Sequence, residues 1–216
     1  MKLIELETEL HEGPHDPHIF KAVFMAGAPG AGKTTVAQQL FGGTGLKSLN
    51  VDRFWQLYNK MQRVGDYQQY WDKYQTQNKL FQMGRLGLLI DGTARNPVKM
   101  REVKDTLEDL GYETGMVFVN TDLETAMNRA QLRAQSPGPD QGREVDPDFI
   151  QDSWKRVQSA LGTYQSVFAP RFWIVDNSDG VRPISLQRAQ RDTRAWLNSP
   201  PQDPRAQEWL RQAREG

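Results

Sequence analysis

Eight consecutive residues near the N-terminus, Gly27-Ala28-Pro29-Gly30-Ala31-Gly32-Lys33-Thr34, follow the spacing G-x-x-x-x-G-K-[ST]. Glycines at these places let the backbone turn so that successive amide N–H groups point at one anion. The residues after Lys33 should start a helix, whose N-terminus adds partial positive charge at the same spot, where Thr35 also lies. Lys33 is expected to reach the β- and γ-phosphates of a nucleotide and the Thr34 hydroxyl to hold Mg²⁺. The apolar run Val23–Ala26 just before the loop reads as a buried parallel strand, the context such a loop requires. The pattern predicts binding of a nucleoside triphosphate, ATP with GTP as the alternative.

Where the phosphate goes depends on the charged residues further along. Asp52 ends a second predicted strand, Leu46–Val51, where a carboxylate can face the γ-phosphate and take the proton of an attacking hydroxyl; a strand-end Asp also commonly caps a helix. Asp91 ends the apolar run Leu86–Ile90 and opens Asp91-Gly92-Thr93-Ala94-Arg95. Its position suits a carboxylate that helps hold Mg²⁺ or accepts hydrogen bonds from substrate, with Arg95 as a fork for an anionic or carbonyl group. Arg129 and Arg133 stand four residues apart on one helix face, and Arg143 follows the Pro/Gly-rich loop Ser136–Gly142. Arginines flanking such a loop suit a lid that closes over ATP and excludes water. His11, His15 and His18, with Glu12 and Asp16, could ligate a metal, but spacing alone favours a solvated turn.

These residues need a scaffold, and the alternation of short apolar runs with amphipathic stretches supplies one. Strands are predicted near residues 23–26, 46–51, 86–90, 116–119 and 172–175. Helices are predicted after the P-loop, through much of 53–85, from Asn96-Pro97 to Gly111, from Thr121-Asp122 to about Gln135, as one long helix from Asp146-Pro147 to about Phe168, and near Leu186–Leu197. That is an α/β doubly wound parallel sheet of about five strands with an Arg-bearing lid, ligands lying at the carboxyl ends of the strands. Residues 1–19 read as an extension, 20–198 as the kinase-type domain, and 199–216 as a tail that either docks as a short helix or stays unstructured.

Composition narrows the classes. The 216 residues carry 27 basic and 27 acidic side chains, so no global charge favours nucleic acid or membrane. The absence of cysteine excludes disulfides, Cys-ligated zinc and thiol catalysis, and a reducing cytoplasm is the simplest compartment. No apolar run approaches the length of a membrane span, and no signal-peptide pattern opens the chain. One segment departs from neutrality. Residues 53–79 interleave Phe54, Trp55, Tyr58, Tyr67, Tyr70, Trp71 and Tyr74 with five cations (Arg53, Lys60, Arg63, Lys73, Lys79) against two acids (Asp66, Asp72). Rings can stack on bases while cations track phosphates, although rings at helical spacing are more often packed core.

Taken together, the P-loop, Asp52-Arg53-Phe54, Ile90-Asp91-Gly92-Thr93-Ala94-Arg95, the Gly111–Thr114 turn and the arginines around Ser136–Gly142 resemble the zeta-toxin and polynucleotide-kinase-like group of P-loop kinases. The opening His15-Asp16-Pro17-His18-Ile19-Phe20-Lys21 is similar to compact bacteriophage kinases, among them the 5-hydroxymethyluracil DNA kinases. The resemblance implies ATP- or GTP-dependent phosphorylation of a hydroxyl, in the host cytoplasm if the chain is phage-encoded. It implies Asp52 as base, Lys33 and Thr34 on phosphate and Mg²⁺, Arg129 and Arg143 as catalytic lid arginines, and Asp91 and Arg95 on the acceptor. The zeta-toxin pattern carries Glu where this chain has Asp91. Three functions follow as expectations: a kinase of a hydroxyl in nucleic acid, with hydroxymethyluracil in DNA as the leading case; a zeta-type kinase of a nucleotide sugar or nucleotide; and a P-loop ATPase without a phosphate acceptor.

Overall fold

Burial organises the computed structural model, which describes residues 13–50, 67–135, 145–178 and 183–215, around one central strand. Lys21–Ala26 (β1) is buried at every position. Its near-continuous apolar run is what a strand covered on both faces requires. Parallel neighbours flank it: Leu88–Asp91 (β3) on one side and Glu113–Asn120 (β4) on the other. Lys47–Asn50 (β2) and Phe172–Asp176 (β5) form the edges, giving a five-stranded parallel sheet in the order β2-β3-β1-β4-β5. Each parallel pair needs a crossover, and helices supply them.

Alternation along β1 assigns the two faces. Ala22, Phe24 and Ala26 join a cluster with Leu107, Tyr164 and Phe168. Those side chains come from helices Pro97–Asp109 (α3) and Leu161–Phe168 (α6). Val23 and Met25 face the other way, onto Val36, Leu40, Ala189 and Leu197. That face is covered by Lys33–Phe41 (α1) and Pro183–Leu197 (α7). A smaller cluster joins Leu123–Gln135 (α4) to Pro147–Ser159 (α5) through Ala126, Ala130 and Ile150. Tyr67–Met83 (α2) precedes β3, and Pro204–Glu215 (α8) closes the chain.

Caps expected from sequence are in place. The Asn96 side chain accepts from the N–H groups of Val98 and Lys99, with Pro97 as the first helical residue. Asp146 accepts from Asp148 N–H ahead of α5, and Asp122 from Thr125 N–H. The expected single helix from Asp146-Pro147 to about Phe168 is in fact two. At Ala160 the backbone turns to φ −86° and ψ −5°, and its N–H is shared between Arg156 and Gln158 carbonyls. The poor helix former Gly162 follows at once. The break lets α6 turn Tyr164 and Phe168 fully into the sheet-facing core.

The tail beyond Pro200-Pro201 docks as α8. Ala206 and Leu210 are buried, and Trp209 meets Phe20 edge-on at 5.5 Å. Its approach is fixed at the amino-terminal edge of the sheet. There Glu113 accepts hydrogen bonds from Lys21 Nζ (2.7 Å), Trp196 Nε1 (2.9 Å) and the Gln202 N–H (2.6 Å). The turn at residues 15–18, expected to be solvated, is only partly so. Asp16 and His18 are buried, the Asp16 carboxylate accepts the His18 N–H at 2.7 Å, and His18 Nδ1 lies 3.3 Å from the Leu197 carbonyl. Among the described residues no group of His, Asp or Glu is arranged to hold a metal; His11 and Glu12 lie outside them. No described helix is long and apolar enough to cross a membrane.

Candidate nucleotide-binding and phosphoryl-transfer site

β1 ends at Ala26, and the chain turns through Gly27–Gly32 into α1. Three glycines make the turn physically achievable. Gly30 and Gly32 have φ of +81° and +87°, a region that side chains with a Cβ rarely enter. Space decides as much as conformation. A Cβ on Gly30 would lie 2.0 Å from the Ala126 carbonyl oxygen, and one on Gly27 would lie 2.9 Å from that of Val119. The loop is thus pressed onto the end of β4 and the start of α4, and within it the Ala31 N–H donates to the Ala28 carbonyl at 3.1 Å. Ala28 and Ala31 are buried, Pro29 and Gly30 half-buried, and Thr34 and Thr35 exposed on the first turn of α1. Lys33 folds back across the loop, its Nζ donating to the Gly27 and Ala28 carbonyls at 2.9 and 3.2 Å.

Register brings the second carboxylate to the same edge. Asp91 pairs with Met25 across β3 and β1 and with Asn50 across β3 and β2, so it stands beside the strand that delivers the P-loop. Thr93 is half-buried beyond it. The connection that follows is held from the other side. Ala94 adopts φ +54°, strained for a residue with a Cβ, and its carbonyl accepts a 2.5 Å hydrogen bond from the Tyr164 hydroxyl. Burial pushes that hydroxyl up to about 12, so it remains a donor at neutral pH.

Arg95 has company that the sequence did not suggest. It forms an ion pair with Asp152 of α5 and stacks over the Phe149 ring at 4.4 Å from the guanidinium carbon to the centroid. Arg156 binds the same carboxylate through Nε at 2.8 Å. The hydrogen bond from Arg156, then that from Arg95, hold the Asp152 carboxyl below its ordinary range.

Both Arg129 and Arg133 lie on α4, and Arg129 reaches the loop, within 3.9 Å of a Cβ placed on Gly32. Arg129 Nη1 donates to the Asn177 carbonyl at 2.8 Å, and Nη2 lies 3.5 Å from that of Ser178. Arg133 is half-buried, and its Nε has no hydrogen-bond partner among the described residues. Asn177, directly after β5, is a residue sequence reasoning missed. It is 4% exposed, and its Nδ2 donates to the Ala31 carbonyl at 2.7 Å. A strand end opposite a P-loop was the one available signal for it.

The structure therefore brings together Gly27–Thr35, Asp91, Thr93 and Arg129 at the carboxyl edge of the sheet, sets Arg133 one turn further along α4, and directs Arg95 to α5. Asp52, Arg143, the Ser136–Gly142 loop and the aromatic stretch 53–66 lie outside the described residues. Of the aromatic residues on α2, Trp71 and Tyr74 stack on each other at 5.6 Å and 27°. Burial raises the Tyr74 hydroxyl above its ordinary value. Both rings are half-buried.

A parallel sheet with β1 central, a glycine cradle at its carboxyl end and a lysine at the cradle's mouth define the P-loop kinase fold. The family profile of the zeta toxin matches residues 8–185, and the chain belongs to that family. Solved structures agree on the fold. The chain is similar to the complex AvrRxo1-ORF1:AvrRxo1-ORF2 with sulphate ions at TM-score 0.60 and 13% identity, covering 84% of this chain and 64% of that one. It is similar to a putative kinase from Chloroflexus aurantiacus at TM-score 0.56 and 15% identity, covering 82% and 95%. It is also similar to the PezAT toxin–antitoxin system of Streptococcus pneumoniae at TM-score 0.51 and 17% identity, covering 83% and 87%. No curated protein matches the sequence.

Proposed function

We propose that this chain is an ATP-dependent kinase that passes the γ-phosphoryl group of ATP to a hydroxyl of a nucleotide-like acceptor. The glycine cradle of residues 27–32, with Lys33 at its mouth and Arg129 beside it, carries the reading. A nucleoside triphosphate fits this donor set. The space a Cβ would fill at Gly27, Gly30 and Gly32 is already occupied, so the loop keeps glycine there and can bring its backbone close to an anion. Lys33 would exchange two loop carbonyls for phosphate oxygens, a stronger charge-assisted pairing. The exposed Thr34 hydroxyl and the Asp91 carboxylate would hold Mg²⁺, which supplies charge neutralisation on the phosphates.

The remaining roles follow from chemistry. Asp52, two residues past β2, would take the proton of the acceptor hydroxyl as its oxygen bonds to phosphorus and the ADP oxygen leaves. Arg129, Arg133 and Arg143 would neutralise charge on the transferring group and exclude water. Asp91, Thr93 and Arg95 would orient the acceptor.

The acceptor favoured by the aromatic and basic segment 53–79 is a hydroxymethylated base in nucleic acid, 5-hydroxymethyluracil in phage DNA. A base in duplex would have to leave the stack to reach Asp52. Membership of the zeta toxin family over residues 8–185 supports the second reading, a nucleotide sugar or free nucleotide. The test is transfer from Mg·ATP to duplex DNA carrying 5-hydroxymethyluracil and, side by side, to a nucleotide sugar, read by mass spectrometry after digestion. Phosphorylated base is the expected product. Phosphorylated sugar with untouched DNA selects the second reading. ATP consumed with both acceptors unchanged overturns the kinase assignment in favour of an ATPase.

A further inference from the structure

Asn177 does something unusual for a buried amide beside a strand end: it serves the P-loop and a lid arginine at once. Its Nδ2 donates to the Ala31 carbonyl at 2.7 Å, and its own carbonyl accepts Arg129 Nη1 at 2.8 Å. The residue is itself pinned, since its N–H donates to the Asn120 carbonyl at 2.8 Å, continuing the ladder of β4 and β5. Thr121 Oγ1 lies 3.5 Å from the same Asn177 carbonyl. The fit to the loop is tight, because a Cβ on Gly32 would lie 2.3 Å from Asn177 Nδ2.

Peptide geometry turns this contact into an orientation. In a trans peptide the C=O and N–H point to opposite sides. Drawing the Ala31 oxygen toward Asn177 aims the Gly32 N–H away from Asn177. We propose that Asn177 is a positioning residue of the nucleotide site: its side-chain amide fixes the Ala31–Gly32 peptide so that the Gly32 N–H faces the phosphates. Gly32 needs no Cβ here for a second reason besides its φ of +87°, which is that Asn177 occupies the place. The same residue's carbonyl holds Arg129 beside the loop, so the cradle and the arginine share one rigid anchor at the end of β5. This inference rests on the nucleotide-binding half of the proposed function and is independent of the acceptor.

The experiment measures affinity for Mg·ADP by calorimetry, with thermal midpoints with and without nucleotide, for the wild type, Asn177→Leu and Asn177→Asp. Leu keeps the volume without a donor, and Asp keeps the shape while setting an acceptor against the Ala31 carbonyl. Both variants are expected to lose affinity about tenfold or more, the effect of one buried hydrogen bond, and to lose most of the nucleotide-induced rise in midpoint. A packing role alone would lower the midpoint without nucleotide yet leave the affinity and the rise intact. Affinity within twofold of wild type in either folded variant overturns the inference. Should Leu fail to fold, Asn177→Ala takes its place, because it removes the donor without adding the negative charge that Asp brings near the phosphates. A wild type with no affinity for Mg·ADP overturns the nucleotide reading itself, an outcome distinct from a variant that merely matches the wild type.

Discussion

At the start of β1, Lys21 is 1% exposed and sealed against Glu113, which is 6% exposed. Past the other end of the same strand, Lys33 is half-buried and rests on two loop carbonyls. Around Lys21 every neighbour is a committed partner: Glu113, Ser199, and the Trp196 ring 5.5 Å away. Lys33 rests in part on two loop carbonyls, and a phosphate would replace those hydrogen bonds with charge-assisted ones. The amino edge of the sheet thus spends its charges on holding α7 and α8 to the sheet. At the carboxyl edge Arg129 sits on two carbonyls, whereas Arg95 is paired with Asp152 of α5. A lysine sealed against a buried counter-charge, as Lys21 is against Glu113, is structural.

The sharpest way to break this contrast is to remove each lysine's function in turn. Lys33→Ala is expected to lower phosphate transfer about a thousandfold, roughly 4 kcal/mol of transition-state stabilisation, with little change in the urea midpoint. Retained transfer would remove Lys33 from the phosphates. At the opposite edge, Glu113→Ala is expected to cost about 3 kcal/mol of stability, because it strands the Lys21 ammonium in the interior. Its Mg·ADP affinity should stay within twofold of wild type. A folded Glu113→Ala protein with weakened nucleotide binding would show that the two edges are coupled through β1 and β4. Trp209→Ala should cost less, about 2 kcal/mol, since the ring is only half-buried on Phe20. Denaturation followed by Trp fluorescence and by far-UV circular dichroism would separate loss of α8 from global unfolding.

The same contrast explains what the sequence could and could not reveal. The P-loop is local: strand, glycines, lysine and helix lie within residues 21–41, so their order alone announces the cradle. Asp91 was legible because an apolar run ends on it, and register then set it beside Met25. The contacts of Arg95 with Asp152, Lys21 with Glu113, and Asn177 with Ala31 span 57, 92 and 146 residues. No periodicity carries such pairings, which exist only once the sheet order is known. The long helix predicted to run to Phe168 failed for a related reason. Its apolar positions kept a helical spacing through Val157, Leu161 and Tyr164, while the turn at Ala160 depends on how α6 meets the core. The tail's docking likewise depends on Glu113 capturing the Gln202 N–H across the chain.

The smallest expected effect is also the most specific signature of the sealed edge. Burial alone would raise the Glu113 carboxyl above its ordinary 4.5, but the hydrogen bonds from Lys21, the Gln202 N–H and Trp196 outweigh it and hold the group lower. The unfolded chain then takes up that proton before the folded one does. Stability from Glu113 is therefore fully present above about pH 4.5 and drains away as pH falls through the depressed folded value. Lys21 acts in a separate window. Burial pulls its ammonium below 10.5, so between the lowered folded value and 10.5 the unfolded state binds more protons and stability again rises with pH. Urea denaturation of wild type and Glu113→Gln between pH 3 and 7 checks the acid limb. The variant should start less stable and lose stability with a shallower slope. Parallel slopes would mean that the carboxylate is not held by its partners, and the amino edge would then be no more committed than the carboxyl edge where Lys33 waits.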